Sequence, residues 1–241
     1  MSKNYLKKYY EEDSERFWDP SLGFADRDLD IYPFLKNLSG TILEYGCGSG
    51  SLLYNLYSEK KFNKAYGVDI SERALNKLNL VWQKNYPNNN YLNLILPKDD
   101  KIPQIKSNSI DVIVCVATIE HVINPYIVLD ELHRIAKKDA YLICSVPNYQ
   151  YLKNIFYLIL GKQPRTGTDL PVSHWRKDGW DGMHLHTFVK SSFKTLLNDC
   201  SWEPIKWKGC GKKFNWTGLG YLRKNFPAYW SGELITLCKK K

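Results

Sequence analysis

No run in the sequence approaches the roughly 20 uninterrupted apolar residues that a bilayer-spanning helix requires. The opening stretch, Met1 to Glu12, carries charges where a secretory leader needs an apolar segment. A cytoplasmic protein is therefore expected. None of the six cysteines (Cys47, Cys115, Cys144, Cys200, Cys210 and Cys238) forms a CxxC pair, and no His/Cys run has the spacing of a zinc site. Cys47, Cys115 and Cys144 border apolar, strand-like runs, where a reduced thiol serves as a small hydrophobe. Internal repeats and low-complexity tails are absent, which removes solenoid architectures.

What is present suits one well-buried core: 241 residues, 44% of them hydrophobic. A single domain, 1–241, is expected, with an aromatic-rich arm (1–38), a core (39–148) and a C-terminal region with closing strands (149–241). The net charge of +9 is unevenly spread. Met1 to Asn148 holds 18 Lys/Arg and 19 Asp/Glu, a net −1, and Tyr149 to Lys241 holds 16 and 6, a net +10. That excess is either a solvated surface or a device for an anionic partner.

Apolar runs alternate with helical periodicity. Thr41-Ile-Leu-Glu-Tyr, Ala65 to Ile70, Asn90 to Leu96, Ile110 to Val116 and Tyr141 to Val146 read as strands. Between them lie a helix after Gly50, one from Glu72 to about Asn85 capped by Ser71, and one from Tyr126 to Lys138. This alternation predicts an α/β, Rossmann-like, doubly wound and mostly parallel sheet. Pro204 to Trp207 and Glu233 to Cys238 supply the closing strands of a seven-stranded sheet, and Ser191 or Ser192 caps a late helix. Residues 149–190 hold an inserted cap or lid, whose Gly/Pro/Lys/Arg-rich part is 161–183.

Glu44-Tyr45-Gly46-Cys47-Gly48-Ser49-Gly50 sits where the first strand turns into the first helix, and its glycines let backbone approach a ligand closely. A dehydrogenase loop would need glycine where Ser51 stands, and a Walker loop would need Gly-Lys-Ser/Thr. Glu44, two residues before the first glycine, suits a cofactor with a cationic amino-acid moiety. Asp69 closes the second strand 21 residues beyond Gly48, the separation typical of a ribose-binding acid.

The motifs ILEYGCGSG, YGVDIS, IDVIVCVATIEHVINP and LHRIAKKDAYLICSVPN, spanning Thr41 to Asn148, resemble those of class I S-adenosylmethionine-dependent methyltransferases. The resemblance implies that S-adenosylmethionine is the cofactor and S-adenosylhomocysteine the product. It assigns the methionine part to Glu44, Tyr45, Gly46, Cys47, Gly48 and Gly50, the ribose to Asp69 with Ile70 beside it, the adenine amine to Asp99, and the sulfonium side to Val116 and Ala117. His121 of the Glu120-His121 pair orients the cofactor, acts as a base or packs on the glycine loop. These two side chains give two candidate metal ligands with no third at matched spacing, so no metal is expected.

The stretch from Ser145 through Gly161-Lys-Gln-Pro and Trp207 is loosely similar to methionine-biosynthesis W-type proteins. Glycan-cluster methyltransferases are similar too, closing on a Pro-aromatic-apolar strand, here Phe226-Pro-Ala-Tyr-Trp. His184 or His186, before the late helix, is the lead candidate for the catalytic base, with satisfied structural histidines as the alternative. Arg165, Arg176, Lys177 and Asp181 are candidates for acceptor binding, since Arg and Lys clamp phosphate. The expected acceptor is a small anionic metabolite bearing phosphate or sugar. The alternatives weighed are a non-catalytic partner protein in methionine biosynthesis and a quinone or lipid O-methyltransferase. Nucleic acid and a membrane surface are less favoured partners, and the assembly is expected to be a monomer or homodimer.

Overall fold

The computed structural model describes residues 3–13, 18–164, 184–210 and 219–241. The strands are β1 (Gly40–Tyr45), β2 (Phe62–Val68), β3 (Leu92–Ile95), β4 (Ile110–Cys115), β5 (Ala136–Pro147), β6 (Trp202–Gly209) and β7 (Glu233–Lys240). They form one sheet in the order β3-β2-β1-β4-β5-β7-β6. The first five strands pair in parallel, and β7 runs antiparallel between β5 and β6. This is the seven-stranded, mostly parallel α/β sheet expected from the sequence.

Nearly continuous apolar strands feed both faces of the sheet, because successive side chains point to opposite sides. On β1 and β4, Leu43, Ile113 and Cys115 join one core with the helices α5 (Pro125–Ile135) and α7 (Lys190–Asp199). Their neighbours Ile42, Val112 and Val114 join the other core, with α2 (Asp26–Leu35), α3 (Ser51–Ser58) and Trp82 of α4 (Glu72–Asn85). Ser71 caps α4 as expected, its hydroxyl accepting from the Ala74 amide. Cys47, Cys115, Cys144, Cys200 and Cys238 are buried free thiols.

Several local expectations need correction. The helix expected to reach Lys138 ends at Ile135, because Ala136 turns extended and pairs with Ile110, lengthening β5. Ser192 does not cap α7 from outside. It lies at the third helical position, where its hydroxyl accepts from the Val189 amide. Phe226-Pro-Ala-Tyr-Trp is not a strand: α8 (Leu219–Asn225) is followed by a short helix α9 (Pro227–Trp230), with Pro227 in the first turn, where a missing N–H costs nothing. Of the inserted region, α6 (Leu152–Ile159) is helical, and residues 165–183 lie outside the described residues. α1 (Lys3–Asp13) belongs to the N-terminal arm.

Candidate active site

The strand order reverses between β1 and β4, since β1 continues outward to β2 and β4 to β5. At such a switch point the loops at the strands' carboxyl ends splay apart and leave a crevice. A cavity of about 360 Å³ lies there, within the usual size range for a small-ligand site. Its wall includes Tyr45, Gly46, Gly48, Asp69, Ile70 and Asp100. The loop after β4 adds Ala117, Thr118, His121, Val122 and Ile123, and the N-terminal arm adds Leu6, Tyr10 and Arg27.

The glycine loop is pinned to the second strand. The amides of Gly46 and Cys47 donate to the Val68 carbonyl at 2.7 and 3.0 Å. Asp69 ties both loops together, accepting from Gly48 N at 2.8 Å and from Ser71 N at 2.9 Å. Burial pushes the Asp69 carboxyl above its ordinary range, opposed by these backbone bonds. The three glycines all have positive φ, for different reasons. A Cβ on Gly46 would strike Thr118 and one on Gly50 would strike Leu78, whereas one on Gly48 would meet nothing within 4 Å. Gly48 alone thus leaves a cradle that a side chain would fill.

Glu44 lies at the end of β1, beneath this loop. It is buried, and its Oε2 has no hydrogen-bond partner among the described residues. Burial first, and then the charges of Asp28 and Asp69, push its carboxyl well above the normal range. Asp28 is itself buried, bonded to the Ser51 hydroxyl and to the Ala25 amide. An unpartnered buried carboxyl and an open glycine face fit a ligand carrying an ammonium group and hydrogen-bonding edges.

The remaining wall is held by the sheet. Ala117 has φ +48, an unfavourable conformation for a residue with a Cβ, and its amide donates to Ser145 Oγ at 3.1 Å. Ser145 in turn donates to Glu233 Oε1 at 2.6 Å, linking β4's end to β5 and β7. Past this turn, Glu120 is fully buried, and burial pushes its carboxyl up to about 8. His121 packs against Tyr10 on one side and His184 on another, with ring centroids 5.8 and 4.8 Å apart.

Some sequence-based choices fall elsewhere. Asp99 is not in the cavity wall, but its neighbour Asp100 is. Both have positive φ in a tight turn closed by Lys98 and Lys101, so one residue's difference redirects the side chain. Val116 is 9% exposed and packs into the core, leaving Ala117 and Thr118 on the cavity. Cys47 packs with Leu75 and Leu78, and Gly50 starts α3; neither lines the cavity. His184 meets His121, but His186 is occupied: its Nε2 lies 2.9 Å from the Val122 carbonyl, which can only accept, so that nitrogen carries the proton. Glu120 and His121 do have a third group beside them, His184. Arg165, Arg176, Lys177 and Asp181 lie outside the described residues. Arg27, Tyr10 and Thr118 went unrecognised in the sequence, since no local motif marks an arm that folds back over a pocket.

The family model described as "Methyltransferase domain" matches residues 13–206. The chain belongs to the methyltransferase domain family. Its fold is that of solved S-adenosylmethionine-dependent methyltransferases, to two of which it is 18% and 16% identical. Among curated relatives, it is 39% identical over 75 residues to a tRNA N(3)-methylcytidine methyltransferase, trm141, of Schizosaccharomyces pombe, covering 31% of this chain and 30% of that one. It is 25% identical over 163 residues to a ubiquinone biosynthesis O-methyltransferase of Hahella chejuensis, covering 65% and 66%. Less than two thirds of each of these relatives is thus spanned. Among solved structures, it resembles magnesium protoporphyrin IX methyltransferase from Synechocystis PCC 6803 with bound S-adenosylhomocysteine. That likeness has a TM-score of 0.67, 15% identity and full coverage of both chains. Among the described residues, no helix is long and apolar enough to cross a membrane.

Proposed function

We propose that this methyltransferase acts on an oxygen or nitrogen of a small anionic metabolite bearing phosphate or sugar, such as a surface-glycan precursor in the cytoplasm. The observation that carries the reading is the charge division: all of the net positive excess lies in Tyr149 to Lys241. The described part of that region reaches the cavity's edge, where the Leu185 and His186 amides donate to the Glu120 carbonyl. Lys and Arg bind phosphate well, and the region includes Arg165, Arg176 and Lys177.

S-adenosylmethionine supplies an already activated methyl group on a sulfonium. The chain's own work is to fix donor and acceptor in line, which supplies much of the acceleration. Asp69 would hold the ribose hydroxyls, Gly46 and Gly48 the methionine part, and Asp100 the adenine edge. Arg27 would meet the cofactor's carboxylate, and Glu44 would lie behind its ammonium. At the acceptor end, His121 or His184 would take the proton that leaves a hydroxyl, and such a base adds roughly 10²–10⁴-fold.

The test is transfer of labelled methyl to a panel of sugar phosphates, nucleotide sugars and catechol-type quinol precursors. Activity confined to the anionic group, falling with added salt, supports the proposal. Arg165→Ala and Arg176→Ala should then raise the acceptor KM while leaving cofactor affinity unchanged. Wild-type kinetics in both variants would reduce the positive excess to a solvated surface. A second reading, a quinone-type acceptor, is favoured by α6, where Phe156 and Ile159 are 59% and 75% exposed, and by the ubiquinone-pathway relative. Preference for the catechols would establish it instead.

A further inference from the structure

We propose that Glu120, His121 and His184 form a binding site for one divalent transition-metal ion at the acceptor end of the cavity. The three side chains come from two stretches far apart in sequence, and their donor atoms all lie within 4.8 Å of one another. Glu120 Oε1 is 3.9 Å from His121 Nε2. Zinc-to-ligand bonds of about 2.0–2.2 Å place tetrahedral ligands roughly 3.4 Å apart, so closing this set needs contraction of at most about 1.4 Å.

The second observation is Glu120 itself. Its side chain is fully buried, and neither carboxylate oxygen has a hydrogen-bond partner among the described residues. An uncompensated buried carboxyl is costly and calls for a partner. The His121 and His184 imidazoles beside it are Lewis bases. Two nitrogens and one carboxylate suit Zn²⁺, Fe²⁺ or Mn²⁺ and not the all-oxygen preference of Ca²⁺ or Mg²⁺.

The support around the cluster is already in place. Leu185 N and His186 N donate to the Glu120 carbonyl at 2.8 and 3.2 Å, and His186 Nε2 is bonded to Val122 O at 2.9 Å. These bonds lock the 184–186 segment onto the loop that carries Glu120 and His121. Tyr10 packs edge-on against the His121 ring from α1. Three protein ligands leave an open position, and His121 of the three lines the cavity. A water or an acceptor oxygen would bind there. With the ion present, His121 and His184 act as ligands, and an acceptor hydroxyl loses its proton to solvent because metal coordination lowers its pKa.

The test needs no acceptor. Untagged protein stripped with a chelator is titrated with Zn²⁺ by calorimetry and with Mn²⁺ by electron paramagnetic resonance. One equivalent of at least one ion should bind saturably. Glu120→Gln and His184→Ala should each weaken it more than ~10-fold, while His133→Ala, in the last turn of α5, leaves it unchanged. Should the buried Glu120→Gln variant fail to fold, His184→Ala still decides. Absence of saturable binding by either ion, or binding that survives the His184 substitution in folded protein, overturns the proposal. S-adenosylhomocysteine binding in the same stripped sample reports the cofactor pocket separately, so the two readings fail independently.

Discussion

Gly46 and Gly48 are two residues apart with similar backbone signs, yet their surroundings assign them different work. Gly46→Ala drives a Cβ into Thr118, whose hydroxyl bonds Val116 O at 2.9 Å and holds the turn after β4. Gly48→Ala meets only cavity, at φ +49, a conformation costing alanine roughly 1 kcal/mol. The expected outcome is a split. Gly46→Ala lowers the melting temperature markedly, and Gly48→Ala folds but loses S-adenosylhomocysteine affinity. Thermal melts and calorimetry on the two variants check it, and equal affinity losses with equal stability would refute it. The glycine loop and Asp69 were legible in sequence because their spacing is local. Asp100 was missed by one residue, and Val116 was named beside Ala117 although only Ala117 faces the cavity, since positive φ at Asp99, Asp100 and Ala117 redirects the chain where no local pattern announces it.

At the scale of elements, a carboxylate ties α1 to the start of α4. Glu11 accepts from Ser71 Oγ and from the Glu72 and Arg73 amides at 2.8–3.0 Å, at the N-terminus of α4. Partial burial raises its pKa, but the bonds from Arg73, Glu72 and Ser71 outweigh this and leave it lowered. A lowered folded-state pKa means that docking is fully present above the ordinary glutamate value, about 4.3, and is lost as pH falls through the folded value. Leu6 and Tyr10 of α1 line the cavity, so Glu11→Ala should speed S-adenosylhomocysteine release with little change in melting temperature. Stopped-flow dissociation measures it, and an unchanged off-rate would show that α1 is no lid.

A second staple lies on α5. Glu131 accepts from the Ile102 amide at 2.8 Å and from Arg134 Nε and Nη2 at 2.8 and 2.7 Å, while Arg134 Nη2 also reaches the Ile105 carbonyl at 3.1 Å. The Arg134 bonds keep the Glu131 carboxyl below its ordinary range despite burial. Glu131→Ala leaves a buried N–H and a guanidinium without their acceptor. It should cost roughly 1–3 kcal/mol, read in a denaturant melt. The strands and helices themselves were visible as apolar periodicity. Residues 226–230 were misread because a proline and aromatics serve the first turn of a helix as well as an edge strand.

For the molecule as a whole, the mostly parallel, doubly wound sheet follows from the βα alternation, which is why the fold class could be read without coordinates. The site's reach across the chain could not. Arg27, Glu120 and His184 converge only because the N-terminal arm, the loop after β4 and the segment before α7 meet at the switch point. The division of charge, −1 before Tyr149 and +10 from there on, is the whole-chain feature on which the proposed anionic acceptor rests. The claim on which all else rests is that the cavity at the ends of β1, β2 and β4 binds S-adenosylmethionine through Asp69. Calorimetry with S-adenosylhomocysteine tests it most directly. Wild type should bind one equivalent and folded Asp69→Ala roughly 10- to 100-fold more weakly, the equivalent of a charge-assisted hydrogen bond. Wild-type protein that does not bind, or a folded Asp69→Ala variant with unchanged affinity, would contradict it.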